Sequence, residues 1–118
     1  MTSFQTSTNK RDSGVCVISL VGYLDAHTAT DLERTMQETI NGGCHRMVVD
    51  FTELEYISSA GLGVFMVFIE SVRRDGGDIK LAAMKDRVFS VFDLLGFPVL
   101  FEIYPSVHEA VEAFPAAA

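Results

Sequence analysis

A chain of 118 residues, 48% hydrophobic and 21% charged, has the length of a single domain (1–118) and the composition of a globular protein with one core. Its net charge of −7 argues against direct nucleic-acid binding or an anionic membrane surface, and favours a protein partner with a basic or mixed face. No apolar run reaches the roughly 20 residues of a bilayer span, and the opening M-T-S-F-Q-T-S-T-N-K lacks the apolar centre of a signal peptide, so the expected setting is the cytoplasm, without membrane insertion.

In chain order, Phe4 to Thr8 reads as an edge strand and Asn9 to Gly14 as a turn. Val15 to Val21 follows as a second strand, apolar on both faces and therefore central, with Gly22 as its end. The short turn predicts that these two strands pair antiparallel. Thr28, with Asp31 three residues on, reads as an approximate capping box for a helix whose buried stripe is Leu32, Met36 and Ile40. Asn41-Gly42-Gly43 stops that helix. Met47 to Val49 is too short for a buried helix and suits a covered parallel strand, closed by Asp50.

A helix over about Ala60 to Asp75 comes next, apolar around most of its circumference, so it is either deeply buried or shows one face to a partner, including a second copy in a homodimer. Gly76-Gly77 ends it. Ile79 to Ala83 is a strand, and Lys85 to Leu95 is a helix with Val88, Phe89, Phe92 and Leu95 inward. Val99 to Tyr104 is the last strand. Ser106 to Phe114 is a final helix, capped by Ser106 with Glu109 at the third position. This alternation predicts an α/β fold: a mostly parallel mixed sheet, an antiparallel N-terminal edge strand and about four flanking helices.

Several chemistries fail on spacing. Cys16 and Cys44 form no C-x-x-C pair; Cys16 reads as a small buried hydrophobe, and His27, His45 and His108 share no ligand spacing, so no metal site is expected. A nucleophile elbow centred on Ser59 would need glycine at position 57, where Ile57 stands. Gly61-Leu62-Gly63 is a lone G-x-G without the lysine of a phosphate-binding loop. Asp50, Glu53 and Glu55 read as the solvated rim of a surface loop, not an acid–base pair. Ser58 and Ser59 remain, at the start of a hydrophobic helix where unpaired N–H groups and the helix dipole favour negative charge. A hydroxyl there serves as a cap, a nucleophile or a phosphate acceptor; position alone favours Ser59 as the cap.

The chain resembles the STAS family, the anti-sigma factor antagonists of bacterial partner switching. The likeness spans nearly the whole sequence: G-Y-L-D-A-H-T-A at Gly22 to Ala29, V-V-D-F at Val48 to Phe51, Y-I-S-S-A-G-L-G-V at Tyr56 to Val64, G-G-D-I-K-L at Gly76 to Leu81 and F-D-L-L-G-F at Phe92 to Phe97. The resemblance implies a small mixed sheet with flanking helices and a non-enzymatic domain without cofactor. It implies binding, in the unphosphorylated state, to an anti-sigma factor with serine kinase activity, which frees a sigma factor and so regulates transcription. A phosphoserine phosphatase would reset the switch.

The family's D-S-x-G motif falls on Ser58-Ser59-Ala60-Gly61, so the resemblance implies phosphorylation of Ser59, with Ser58 in place of the usual aspartate and as the alternative acceptor. Asp25 and Thr28, in a loop that also follows a strand, are expected at the same end of the domain. With Ser58, Ser59, Gly61 and Leu62 they form the expected partner-binding set; for Asp25 a turn or cap role is equally expected. The missing aspartate favours the rival in the same family, a scaffold or assembly module of the stressosome or of lipid transporters, without a serine switch.

Overall fold

The computed structural model describes residues 4–115. Five strands lie in sequence order: β1 (Gln5–Lys10), β2 (Cys16–Leu24), β3 (Arg46–Ile57), β4 (Asp78–Ala82) and β5 (Ile103–Tyr104). β1 runs antiparallel to β2 and every other pair is parallel. The helices are α1 (Ala29–Asn41), α2 (Ser59–Arg74), α3 (Asp86–Leu94) and α4 (Val107–Glu112). This is the mixed sheet with four helices that the alternation predicts.

Sequential strand order with right-handed crossovers puts successive helices on one sheet face. Leu32 and Met36 of α1, Phe65 and Ile69 of α2, and Val88 and Phe92 of α3 accordingly share one core with Ile18, Leu20, Val49 and Phe51 of the sheet. Phe51 is its aromatic hub, 5.9 Å from the Phe65 ring centroid and 5.7 Å from that of Phe92. A smaller cluster on Val15, Val17, Val48 and Ala82 is covered by Ala110, Val107 and Val111 of α4. Ser106 caps α4 as expected, accepting the Glu109 N–H at 3.1 Å.

Several expectations are corrected. β1 extends to Lys10, and β2 passes through Gly22, whose φ of +98° lets the strand absorb an irregularity between Gly22 and Tyr23. β3 does not close at Asp50. It runs to Ile57 because the lengthened β2 gives it a partner, in the register Gly22↔Leu54, Tyr23↔Tyr56 and Leu24↔Ile57. The residues expected in a surface loop are therefore strand residues. The last strand is only Ile103–Tyr104, since Phe97–Val99 forms a 3-10 turn whose Phe97 carbonyl accepts the Leu100 N–H at 2.9 Å. On α3, Val88 and Phe92 point inward, whereas Phe89 and Leu95 are exposed.

Cys16 is not a lone hydrophobe: it forms a disulfide with Cys44, Cα–Cα 6.6 Å. Cys16 pairs with Met47 across β2 and β3, so the turn just before β3 lies beside the start of β2. The sequence separation of 28 concealed a proximity created by strand pairing.

Candidate functional site

β2 and β3 end together, at Leu24 and Ile57, and each passes directly into the loop that starts a helix. The Ser58 N–H donates to the Leu24 carbonyl at 2.9 Å, which holds the start of α2 against the end of β2. Ser58 is extended (φ −102°, ψ 171°), and its hydroxyl accepts the Gly61 N–H at 3.4 Å. It is the N-cap of α2. The capping role that position alone gives to Ser59 thus belongs to its neighbour. Ser59 is the first helical residue and is exposed, and no side-chain hydrogen bond engages its hydroxyl among the described residues.

Gly61 and Leu62 secure this helix start from beneath. A Cβ on Gly61 would stand 2.6 Å from Leu24 Cγ and 3.2 Å from Ile57 Cγ1, so only glycine lets the first turn settle on the strand ends. Leu62 is fully buried. Both residues therefore support the site by packing.

Asp25 and Thr28 form one locked turn. Asp25 Oδ1 accepts the N–H groups of His27 at 2.9 Å and Thr28 at 3.1 Å, and Thr28 Oγ1 accepts the Asp25 N–H at 2.9 Å while lying 2.9 Å from the Tyr23 carbonyl. The expected capping box from Thr28 to Asp31 is not formed, because the Thr28 hydroxyl is held by this turn. Desolvation pushes the Asp25 carboxyl up, but the N–H groups of Thr28 and His27 outweigh it and hold it below the ordinary value. The turn starts at Asp25, directly after Leu24, so Asp25 adjoins the carbonyl that accepts the Ser58 N–H. An ionised carboxylate, the Ser59 hydroxyl and the N-terminus of α2 thus occupy one end of the sheet.

The acidic residues after Val49 are not a uniform solvated rim. Glu55 bonds Lys85 at 2.8 Å and also pairs with Arg87, and the Lys85 hydrogen bond is the main reason its carboxyl lies below the usual range. Asp50 accepts from Thr52 Oγ1 at 2.6 Å. The histidines are separated: His27 is in the Asp25 turn, His45 faces Asp75 at 3.4 Å, and His108 faces Glu112 on α4. Sequence reasoning missed the Glu55–Lys85–Arg87 cluster because its members are 30 and 32 residues apart. It also misplaced the cap by one residue.

No base engages the Ser59 hydroxyl among the described residues. Ser59 presents an exposed hydroxyl at a helix N-terminus suited to an anion. No described helix is long and apolar enough to cross a membrane.

The STAS domain model matches residues 7–110. The protein BtrV of Bordetella bronchiseptica is 33% identical over 104 residues, covering 88% of this chain and 90% of its own. The anti-sigma-B factor antagonist of Listeria monocytogenes is 31% identical, with 80% and 82% covered. The crystal structure of an anti-sigma factor antagonist from Mycobacterium paratuberculosis superposes with a TM-score of 0.86 at 26% identity, covering 94% of this chain and 93% of that one.

Proposed function

The chain belongs to the STAS domain family, and from that premise we propose that it is an anti-sigma factor antagonist switched by phosphorylation of Ser59. The unphosphorylated protein binds an anti-sigma factor that is also a serine kinase, and so releases a sigma factor for transcription. The kinase transfers the γ-phosphoryl group of ATP to Ser59 Oγ; the new P–O bond replaces the one to ADP, and the hydroxyl proton leaves. A phosphoserine phosphatase restores the hydroxyl. The chain acts in the cytoplasm as substrate and ligand, not as enzyme, and touches no nucleic acid.

One observation carries this reading: Ser58 takes the capping role, which leaves the Ser59 hydroxyl exposed and unengaged at the head of α2. Phosphorylation there adds close to two negative charges, which the helix N-terminus accommodates without unfolding the domain. A partner docked over Ser59 would then have to bury a hydrated dianion. A loss of about 3 kcal/mol lowers affinity more than a hundredfold.

The test is a paired capture from the lysate of the native host, with wild type and Ser59→Glu as baits. Wild type retains an ATPase of the serine-kinase class and Ser59→Glu does not. Equal capture by both baits would contradict a switch at Ser59 and leave a constitutive scaffold.

A further inference from the structure

The Cys16–Cys44 bridge stands at the end of the sheet opposite the candidate site. Cys16 opens β2 and Cys44 lies in the turn before β3, whereas Leu24 and Ile57, where those strands end, adjoin Ser58 and Ser59. The nine residues of β2 separate the two regions by about 26 Å. The Cys44 turn is a junction of several elements. The Cys44 N–H donates to the Thr39 carbonyl of α1 at 3.1 Å, and the His45 carbonyl accepts the Asp78 N–H of β4 at 2.9 Å. His45 Nε2 also faces Asp75, at the end of α2, at 3.4 Å.

The thiol form fits the same place. Cys44 Sγ lies 3.6 Å from the carbonyl oxygens of both Gly14 and Arg46, so a hydrogen on that sulfur meets acceptors already in position. Cys16 is buried between Val15 and Val17 in the chain, where a free thiol packs as a small hydrophobe. Strand pairing, not the bridge, brings the two residues together: Cys16 pairs with Met47, just beyond Cys44. The sulfurs therefore stay within reach of each other when the bond opens. Cys44 is 8% exposed against 3% for Cys16, and the exposed Gly42-Gly43 pair precedes it, so local opening of the turn uncovers Cys44 first.

We propose that Cys16–Cys44 is a reversible redox latch on this junction, closed by hydrogen peroxide, opened by a dithiol reductant, and separate from the serine site. In the cytoplasmic setting proposed above, disulfides are generally transient or redox-sensing; the inference rests on that setting but not on the serine switch. In closing, the Cys44 thiolate attacks one peroxide oxygen: an S–O bond forms, the O–O bond breaks and hydroxide leaves. The Cys16 thiolate then attacks the Cys44 sulfur, and the S–S bond forms as the sulfenic oxygen departs as a second hydroxide. The two thiol protons convert both hydroxides to water, so two thiols are oxidised and one peroxide is reduced. In opening, a thiolate of the dithiol attacks the Cys44 sulfur and frees Cys16; its second thiol then displaces Cys44, and the dithiol leaves as its own disulfide. The closed latch ties the turn between α1 and β3 to the start of β2, and the open latch releases that turn to fluctuate.

The experiment uses the purified chain, reduced with dithiothreitol and desalted, with amide NMR spectra, thiol trapping read by mass spectrometry, and Cys44→Ser as the permanently open form. The reduced chain keeps a dispersed, folded spectrum. Hydrogen peroxide removes both alkylatable thiols and gives a monomer lighter by two hydrogens, and dithiothreitol restores the thiols while the chain stays folded. Amide exchange at residues 42–45 is at least tenfold faster in the reduced chain and in Cys44→Ser, and the oxidised and reduced spectra coincide at Ser58–Gly61. An unfolded reduced chain would make the bridge a permanent staple and overturn the latch. Oxidation beyond the sulfenic acid without a bridge would overturn it, as would a bridge that dithiothreitol opens only in the unfolded chain. Turn exchange within twofold in the two forms, or shifts at Ser58–Gly61 as large as those in the turn, would overturn it too. If Cys44→Ser fails to fold, the reduced wild type decides. Failure to capture an ATPase would remove the serine switch and leave each of these outcomes unchanged.

Discussion

Ser58 and Ser59 carry the same hydroxyl on adjacent residues, and their difference is set by one backbone bond. The Leu24 carbonyl takes the Ser58 N–H, keeps Ser58 extended and turns its Oγ toward Gly61 N, so the next residue is the first of the helix. That bond depends on β2 and β3 ending in register, a non-local fact, which is why the sequence located a capping serine to within one residue and no closer. Ser58→Ala is expected to lower stability by about 1 kcal/mol, since it removes the cap. Ser59→Ala should stay within about 0.5 kcal/mol of wild type, as an exposed surface change. Urea unfolding of the two variants checks the assignment; an equal or reversed effect would move the cap back to Ser59.

At the scale of elements, helices were legible where the apolar spacing was strong: α1 and α2 lie within a residue or two of their expected bounds. Strands were less so. Phe51, Leu54 and Ile57 are buried at a spacing of three, because irregularities in the β2–β3 pairing break simple alternation, and β3 extends well beyond the apolar run that announced it. The Cys16–Cys44 link was illegible for the same reason, being a product of strand pairing. It closes a loop across a sequence separation of 28, which spans the rest of β2, the Asp25 turn and α1. A loop of that length is expected to give the oxidised form about 3.6 kcal/mol of added stability on the chain-entropy argument. Urea titrations with and without dithiothreitol measure it. Superimposable curves for verified oxidised and reduced samples would refute it.

Across the whole molecule, the candidate site and the support of α4 use different parts of the sheet. Lys80 of β4 is nearly buried and bonds Glu102 at 2.7 Å and Asp78 at 3.2 Å, while Phe114 after α4 packs over its ammonium at 4.7 Å. Burial pushes the Lys80 ammonium down, but its bonds to Glu102 and Asp78 outweigh this and hold it above its ordinary 10.5. The Lys80 hydrogen bond, with one from Tyr104, holds the Glu102 carboxyl below its ordinary 4.5. The depressed carboxyl stabilises the fold above about pH 4.5, and that contribution is lost as pH falls through its folded-state value. The raised ammonium contributes fully below pH 10.5, and its share is lost as pH rises through its own folded-state value. Glu102→Gln should therefore be less stable than wild type at pH 7, with the gap closing on acidification below about 4.5. Denaturation midpoints across that range test this, and a gap independent of pH would contradict it.

The central claim is that Ser59 is the acceptor of a kinase that docks at this end of the domain. Its most direct test is phosphopeptide mass spectrometry after incubation with the captured ATPase and ATP, on wild type, Ser58→Ala and Ser59→Ala. The account predicts one phosphate on Ser59 in wild type and in Ser58→Ala, and none in Ser59→Ala. A phosphate on Ser58, or wild type left unmodified by an active kinase, would contradict it.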